Sequence, residues 1–329
     1  MDSPNRNTSI ELLRIVLMAM IVCWHFVVHG LHYSSLKLSD IGDSDLANII
    51  LLSVLCCHVN CFIFISGYFG IKTTRKRLVA FTIPLVIYSF FPHIINVFYF
   101  HNYMGLRIMG GVIPVSYNVW WFATLYYFLM LFAPIINAGI LAISRKKFEC
   151  ILCLTFFSLA SGFAFLSMSW NQTILFLFMY LLGRYFRLYD FKLRFNPFYG
   201  FILSIIGVLC FTALFCKSSF YSMESAIMPF DYSNPFCITM AVSLFFMFKR
   251  INLPQIKTIN KIATGSFAVY LISDGVFRSA FNKNIINLVG SSLPMLIFAA
   301  IIITIVLCCV DIFRQKLTKP IEEYIASKF

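Results

Sequence analysis

Charge is what this chain has least of. Only 12% of its 329 residues are Asp, Glu, Lys or Arg, and the acidic ones number just 13. A soluble domain carries about a quarter charged residues, so a globule that faces water on all sides is excluded. The chain also lacks low-complexity linkers and internal repeats, so one domain spanning 1–329 is expected, with no separate soluble unit. The ~10-residue alternation of an outer-membrane barrel is missing too.

What fills the space is apolar. Hydrophobic residues make up 60% of the chain, 38 of them Phe, and the mean hydropathy is +0.85. Lipid must therefore be part of the solvent. Backbone polar groups in hydrocarbon must be satisfied within each segment, so the expected fold is all-α, a polytopic membrane bundle. Ten spans of about 20 residues each can be drawn, near 10–30, 48–69, 79–100, 119–140, 150–168, 172–187, 198–216, 234–248, 263–281 and 293–312. The sixth and eighth are short. The first is not expected to be a cleaved signal peptide, because Glu11 and Arg14 interrupt it and no small-residue cleavage site precedes His29 and His32.

The basic residues are sorted by side. Twenty fall on one face: Arg6; Lys72, Arg75, Lys76 and Arg77; Arg145, Lys146 and Lys147; Arg184, Arg187, Lys192 and Arg194; Lys249, Arg250, Lys257 and Lys261; Arg314, Lys316, Lys319 and Lys328. Five fall on the other: Lys37, Arg107, Lys217, Arg278 and Lys283. The positive-inside rule then puts both termini in the cytoplasm. A net charge of +13 follows from topology and anionic inner-leaflet lipid, so no nucleic acid partner is expected.

Within the first span stand Arg14 and His25. An arginine at membrane depth is expensive and faces a bundle interior or a watery cavity. Eleven residues separate the two, about three helical turns plus 20°, so they share one face roughly 16 Å apart along the axis. Glu11, three residues before Arg14, reads either as an orienting partner for the guanidinium or as an N-terminal helix charge. Lys72, Arg75 and Arg77 lie after the second span and are the cations nearest to Arg14 for a phosphorylated ligand arriving from the cytoplasm.

Other polar positions carry weaker signals. Cys56, Cys57, His58 and Cys61, and Cys150 with Cys153, mimic metal spacing but sit in apolar helical runs, where Cys behaves as a small hydrophobe; no metal is expected. His29 and His32 read as polar caps at the outer interface. Trp120 and Trp121 suit either a sugar-stacking platform or an interfacial aromatic belt. Asp274 and Arg278, four apart, form either a structural ion pair or part of an acceptor vestibule. Ser66 and Gly67 suit close helix packing.

Taken in order, these landmarks resemble a known family. Arg14 and His25 resemble the Arg-x10-His signature of the bacterial membrane acyltransferase-3 family. Asn60 to Phe69, Val119 to Phe122, Tyr180 to Tyr185 and Phe267 to Ile272 resemble further landmarks of that family in the same sequence order, over about the whole chain. Two departures stand out. The family's Arg-x-x-Arg is here Lys72-x-x-Arg75, which loses one guanidinium fork. Where many relatives place a His after Tyr-Leu-Ile, this chain has Ser273 followed by Asp274.

The resemblance implies transfer of an acyl group, usually acetyl, from cytoplasmic acyl-CoA to a hydroxyl of an envelope, capsular or exopolysaccharide sugar, in the inner membrane of a bacterial cell. Acyl-CoA would be a co-substrate and no cofactor would stay bound. Arg14, Lys72, Arg75 and Arg77 would meet the donor's phosphates, His25 would act as general base with Glu11 in support, and Trp120, Trp121, Asp274 and Arg278 would meet the carbohydrate acceptor. A different class stays open: a proton-coupled transporter or flippase of lipid-linked saccharides, with Arg14, His25 and Asp274 as its path. Such folds usually have repeated halves, and 1–165 and 166–329 share no pattern. The charge sorting predicts that a reporter fused after Lys146 reads cytoplasm and one fused after Lys217 reads outside. An outside signal at Lys146 would overturn the layout.

Overall fold

The computed structural model describes residues 6–99, 107–165, 171–191 and 193–328. Phe100 and residues 166–168, at the ends of the third and fifth expected spans, and Lys192 lie outside the described residues. The structure is helical; among the described residues the β contact is an isolated antiparallel bridge between Lys37 and Ser225.

The first helix, α1, is Thr8–His25. Asn7 caps it by accepting the Ile10 N–H at 3.2 Å, and Glu11 sits in its first turn, where the helix dipole favours an anion. Past His25 the helix widens into a π turn, Phe26–Gly30, closed by the Leu31 N–H donating to the Phe26 carbonyl at 2.9 Å. There follow α2 (Leu46–Leu55), α3 (His58–Phe69), α4 (Arg75–Phe98), α5 (Arg107–Val112), α6 (Trp121–Ala142), α7 (Arg145–Phe165) and α8 (Asn171–Leu188). The rest are α9 (Pro197–Lys217), α10 (Pro235–Arg250), α11 (Lys257–Ile262), α12 (Ser266–Ser273), α13 (Arg278–Val289) and α14 (Leu293–Lys328). Both α9 and α10 begin at an Asn-Pro pair. Asn196 and Asn234 accept the N–H groups of Phe198 and Phe236, and the proline takes the first helical position, where no donor is needed.

Among the described residues, seven helical stretches are long and apolar enough to cross a membrane: Thr8–Gly30, Asp43–Phe69, α4, α6, α7, α9 and α14. The protein is thus a multi-pass helical membrane bundle. α8 and α10, with 18 and 16 residues, occupy the short sixth and eighth expected spans. The ninth, 263–281, is not one helix. It runs as a 3₁₀ turn at Ala263–Gly265, then α12, then a break at Asp274 before α13. The last helix runs on to Lys328, well past residue 312.

Irregular backbone at membrane depth survives only where protein satisfies its polar groups. Two side chains do this here. At the turn between α2 and α3, His58 Nδ1 meets the freed Leu55 carbonyl at 2.6 Å. At the break after α12, the buried Asn282 amide donates to the carbonyls of Ser273 (3.4 Å) and Arg278 (2.7 Å).

Most of α1 and the Asp43–Phe69 stretch is buried inside the protein, while α4, α6, α9 and α14 bury little of their length. Those outer helices turn Phe91, Ile135, Leu203 and Phe298 outward, a surface suited to lipid. The closest crossing joins α3 to α8. A Cβ on Gly67 would lie 2.2 Å from the Tyr180 carbonyl oxygen, and one on Gly183 would lie 2.5 Å from the Phe64 carbonyl oxygen. The expected packing role of Gly67 is the one its surroundings support. Gly67→Ala must therefore push two backbones apart, and overpacking of this kind costs about 1–3 kcal/mol. Gly139 in α6 has nothing within 4 Å of a Cβ, so Gly139→Ala should be neutral or stabilising by up to ~1 kcal/mol. Melting of the two variants in detergent should separate them, Gly67→Ala falling and Gly139→Ala holding or rising.

Candidate functional site

Two cavities open on opposite sides of an aromatic partition. The first, about 500 Å³, is lined by Arg14, Ser66, Gly70, Arg77, Phe81, Tyr126 and Phe122, among others. Arg14 Nη1 pairs with Glu11 at 3.4 Å, and Glu11 also faces Arg6 at 3.7 Å. Ser66 is fixed at 3.0 Å from the Tyr126 hydroxyl. The chain leaves α3 at Gly70, whose φ of +73° lies in the region glycine adopts without strain. Tyr180 holds the next residue in place. Its hydroxyl accepts the Ile71 N–H at 3.2 Å and donates to Asn137 at 2.9 Å.

One further cation adjoins this cavity at Gly70, and two more gather at the nearby Tyr68, off its lining. The Arg184 guanidinium lies over Gly70, and its Nε finds no hydrogen-bond partner among the described residues. Lys249 donates to the Tyr68 hydroxyl at 2.5 Å and lies 4.7 Å from the ring centre; Arg187 stands 5.6 Å from the same ring.

The second cavity, about 490 Å³, is lined by His25, His29, Trp121, Tyr232, Asp274 and Arg278, with Glu224 and Asp231 further along. Trp121 and Tyr232 stack at 5.7 Å. Asp274 pairs with Arg278 at 3.4 Å. The partition between the cavities is thin. Neighbouring residues Trp121 and Phe122 line different cavities, Phe122 meets Tyr270 edge-on at 5.6 Å, and Tyr270 lies 6.5 Å from His25.

His25 is buried and held from behind. The Ser273 hydroxyl lies 3.4 Å from the Tyr270 carbonyl and 3.2 Å from His25 Nδ1. In the tautomer whose Nδ1–H donates to Ser273, the Nε2 lone pair is available as a base. Ser273 thus anchors the Nδ1 side of the His25 ring.

The candidate residues divide accordingly. Arg14 and Arg77 share the first cavity, while Lys72 and Arg75 are exposed at the same end without lining it. The Lys72 carbonyl accepts from Arg77 at 3.1 Å, so its backbone steadies the arginine. Glu11 is with Arg14 and Arg6, fourteen residues and about 21 Å of helix from His25; its surroundings are those of an orienting partner. Trp121 lines the second cavity, but Trp120 is buried in the core at 1% exposure and does not. His25, Asp274 and Arg278 come together as one wall.

His29, read from the sequence as an interfacial cap, lines that same wall, and His32 is exposed. Among the described residues, His25, His29 and Asp274 are the one group whose donor atoms approach closely enough to suggest a shared ligand, all within 4.8 Å of one another. Sequence spacing missed His29 because the π turn alters the angle between positions 25 and 29. It missed Arg184, beside the cavity residue Gly70, because it read only as a topology charge.

A family model described as an acyltransferase domain, the acyltransferase-3 model, matches residues 7–314. No curated protein and no solved structure matches the chain.

Proposed function

Since this chain belongs to the acyltransferase-3 family of integral-membrane acyltransferases, we propose that it moves an acyl group, acetyl in the simplest case, from cytoplasmic acyl-CoA to a hydroxyl of an envelope, capsular or exopolysaccharide sugar, in the inner membrane of a bacterial cell. The observation that carries this reading is the pair of unlike cavities divided by a thin aromatic partition, with His25 on the wall of the second. One has arginines at its mouth and an aromatic interior, which suits a phosphorylated carrier with an apolar arm. The other combines carboxylates, histidines and a Trp–Tyr pair, which suits a sugar.

The donor's phosphates would meet Arg14, Arg77 and the adjoining Arg184, where guanidinium groups favour bidentate contact. The thioester would advance past Phe122 and Tyr270 towards His25. There His25 Nε2 takes the proton of the acceptor hydroxyl as its oxygen attacks the thioester carbon. The tetrahedral intermediate collapses, the C–S bond breaks, and the proton returns to the leaving thiolate. The products are the sugar ester and free CoA, with nothing left on the protein.

Two predictions test the reading. Arg14→Lys keeps the charge but loses the planar fork, so the acyl-CoA concentration needed for half-maximal transfer should rise several-fold, and Arg77→Ala should do the same. Arg75→Ala, exposed and off the cavity, should change it less. Unchanged donor dependence in both Arg14→Lys and Arg77→Ala would place the donor elsewhere.

General-base help is worth about 10²–10⁴-fold, so His25→Asn should lower transfer by that order at matched protein levels in membranes. In cells the same variant should leave the surface polysaccharide about 42 Da lighter per acetylated repeat, the mass of acetyl replacing hydrogen. An active His25→Asn would remove the base. A polysaccharide mass unaffected by deleting the protein would return the transporter reading.

A further inference from the structure

The wall shared by His25, His29 and Asp274 is assembled from three irregularities. His25 ends α1. His29 belongs to the π turn that follows, and a straight α-helix would carry it about 40° beyond His25. The turn is pressed against α13 through Gly30, where a Cβ would lie 2.3 Å from the Ile286 side chain and 3.3 Å from the Asn282 carbonyl oxygen. Asp274 enters from the break between α12 and α13 that Asn282 braces. The two imidazoles end with ring centres 5.4 Å apart at 43°.

Donor atoms of the three side chains lie within 4.8 Å of one another, yet none is hydrogen-bonded to another among the described residues. A triangle with sides of up to 4.8 Å has a centre about 2.8 Å or less from each corner, the length of a hydrogen bond to oxygen. A zinc ion would need corners drawn in to about 2.0–2.2 Å. It would also sit beside the Arg278 guanidinium, itself 3.4 Å from Asp274. The gap suits a neutral oxygen better than a dication.

The donor and acceptor inventory decides what kind of oxygen. A hydroxyl has one proton to give and lone pairs to receive. His25 Nε2 can take that proton in the tautomer whose Nδ1–H donates to Ser273. A His29 N–H can donate to the same oxygen. Asp274, a carboxylate whose Oδ1 takes the Arg278 guanidinium at 3.4 Å, only accepts, so its remaining lone pairs can take a second donor close to the first.

We infer that His25, His29 and Asp274 form a clamp for two neighbouring donor groups of the acceptor. His25 and His29 hold the hydroxyl to be acylated, and Asp274 holds an adjacent hydroxyl or amino group. This rests on the reading that the second cavity receives a carbohydrate acceptor. It narrows that acceptor to one bearing a vicinal diol or amino alcohol at the acylated position.

The test uses the full chain in proteoliposomes with acetyl-CoA as donor. The acceptors are methyl glycosides of glucose, galactose, mannose and rhamnose, followed by deoxy analogues of whichever is acylated. In the wild type, removing the hydroxyl adjacent to the acylated position should lower acceptor kcat/KM at least tenfold, and Asp274→Asn should shrink that discrimination to under threefold. His29→Ala should lower acceptor kcat/KM at least tenfold while leaving the KM for acetyl-CoA unchanged, and His29→Gln, which keeps an N–H of similar reach, should recover part of the loss.

Should Asp274→Asn fail to fold, the wild-type comparison and the His29 variants still decide. Equal use of the deoxy analogue by the wild type would overturn the clamp, as would an unaffected His29→Ala. So would a stoichiometric metal ion whose removal by chelator abolishes transfer. Absence of any acylated glycoside, with acetyl-CoA still slowly hydrolysed, would sink the carbohydrate reading beneath it.

Discussion

Inside hydrocarbon a backbone N–H or C=O without a partner costs several kcal/mol, and that constraint shapes everything functional in this protein. Three places where the chain departs from a straight helix have a dedicated repair. Asn282 serves the carbonyls at the end of α12 and the start of α13, His58 serves Leu55, and the π turn after α1 closes with its own Leu31 to Phe26 bond. Because these repairs exist, Asp274 can leave a helix and His29 can turn inward. The polar wall around His25 is a by-product of broken helices that the bundle can tolerate.

The two cavities differ because the two ends of the molecule differ. Arg14 within the first span, with Arg77 and Arg184 from the basic set that sorts to one side by sequence, surrounds the first cavity. The opposite end contributes Glu224, Asp231 and Asp274 with Arg278. Topology and chemistry therefore draw on the same charges. A residue placed by membrane insertion also selects the sign of the ligand its cavity will take. Between the ends lies a thin aromatic partition, Trp121, Phe122 and Tyr270. It separates a space lined by arginines from one lined by carboxylates and histidines, and His25 stands on the second wall.

A second polar network shows how the same logic serves structure. Asp311 in α14 receives bonds from Tyr88, Arg314 and Gln315, and Arg314 continues to Thr318 and Glu322. The charges satisfy one another, in contrast to Arg184, whose Nε lacks a partner among the described residues. This network ties α14 to Tyr88 of α4.

Composition alone determined that this is a helical membrane protein, because 12% charge cannot cover a water-facing surface of 329 residues. Helical spacing determined that Arg14 and His25 share a face, and the ordered landmarks pointed to the family that the match over 7–314 establishes. These are properties of short segments and their periodicity, which a linear string carries. Tertiary structure decided the rest. It gave Trp121 to a cavity and Trp120 to the core, although the two are adjacent and chemically alike. It also separated Glu11 from His25, broke the ninth expected span at Asp274, and turned His29 inward. Each of those outcomes depends on which distant backbone presses on which turn, as Ile286 presses on Gly30. A contact across more than two hundred residues leaves no periodic trace in sequence.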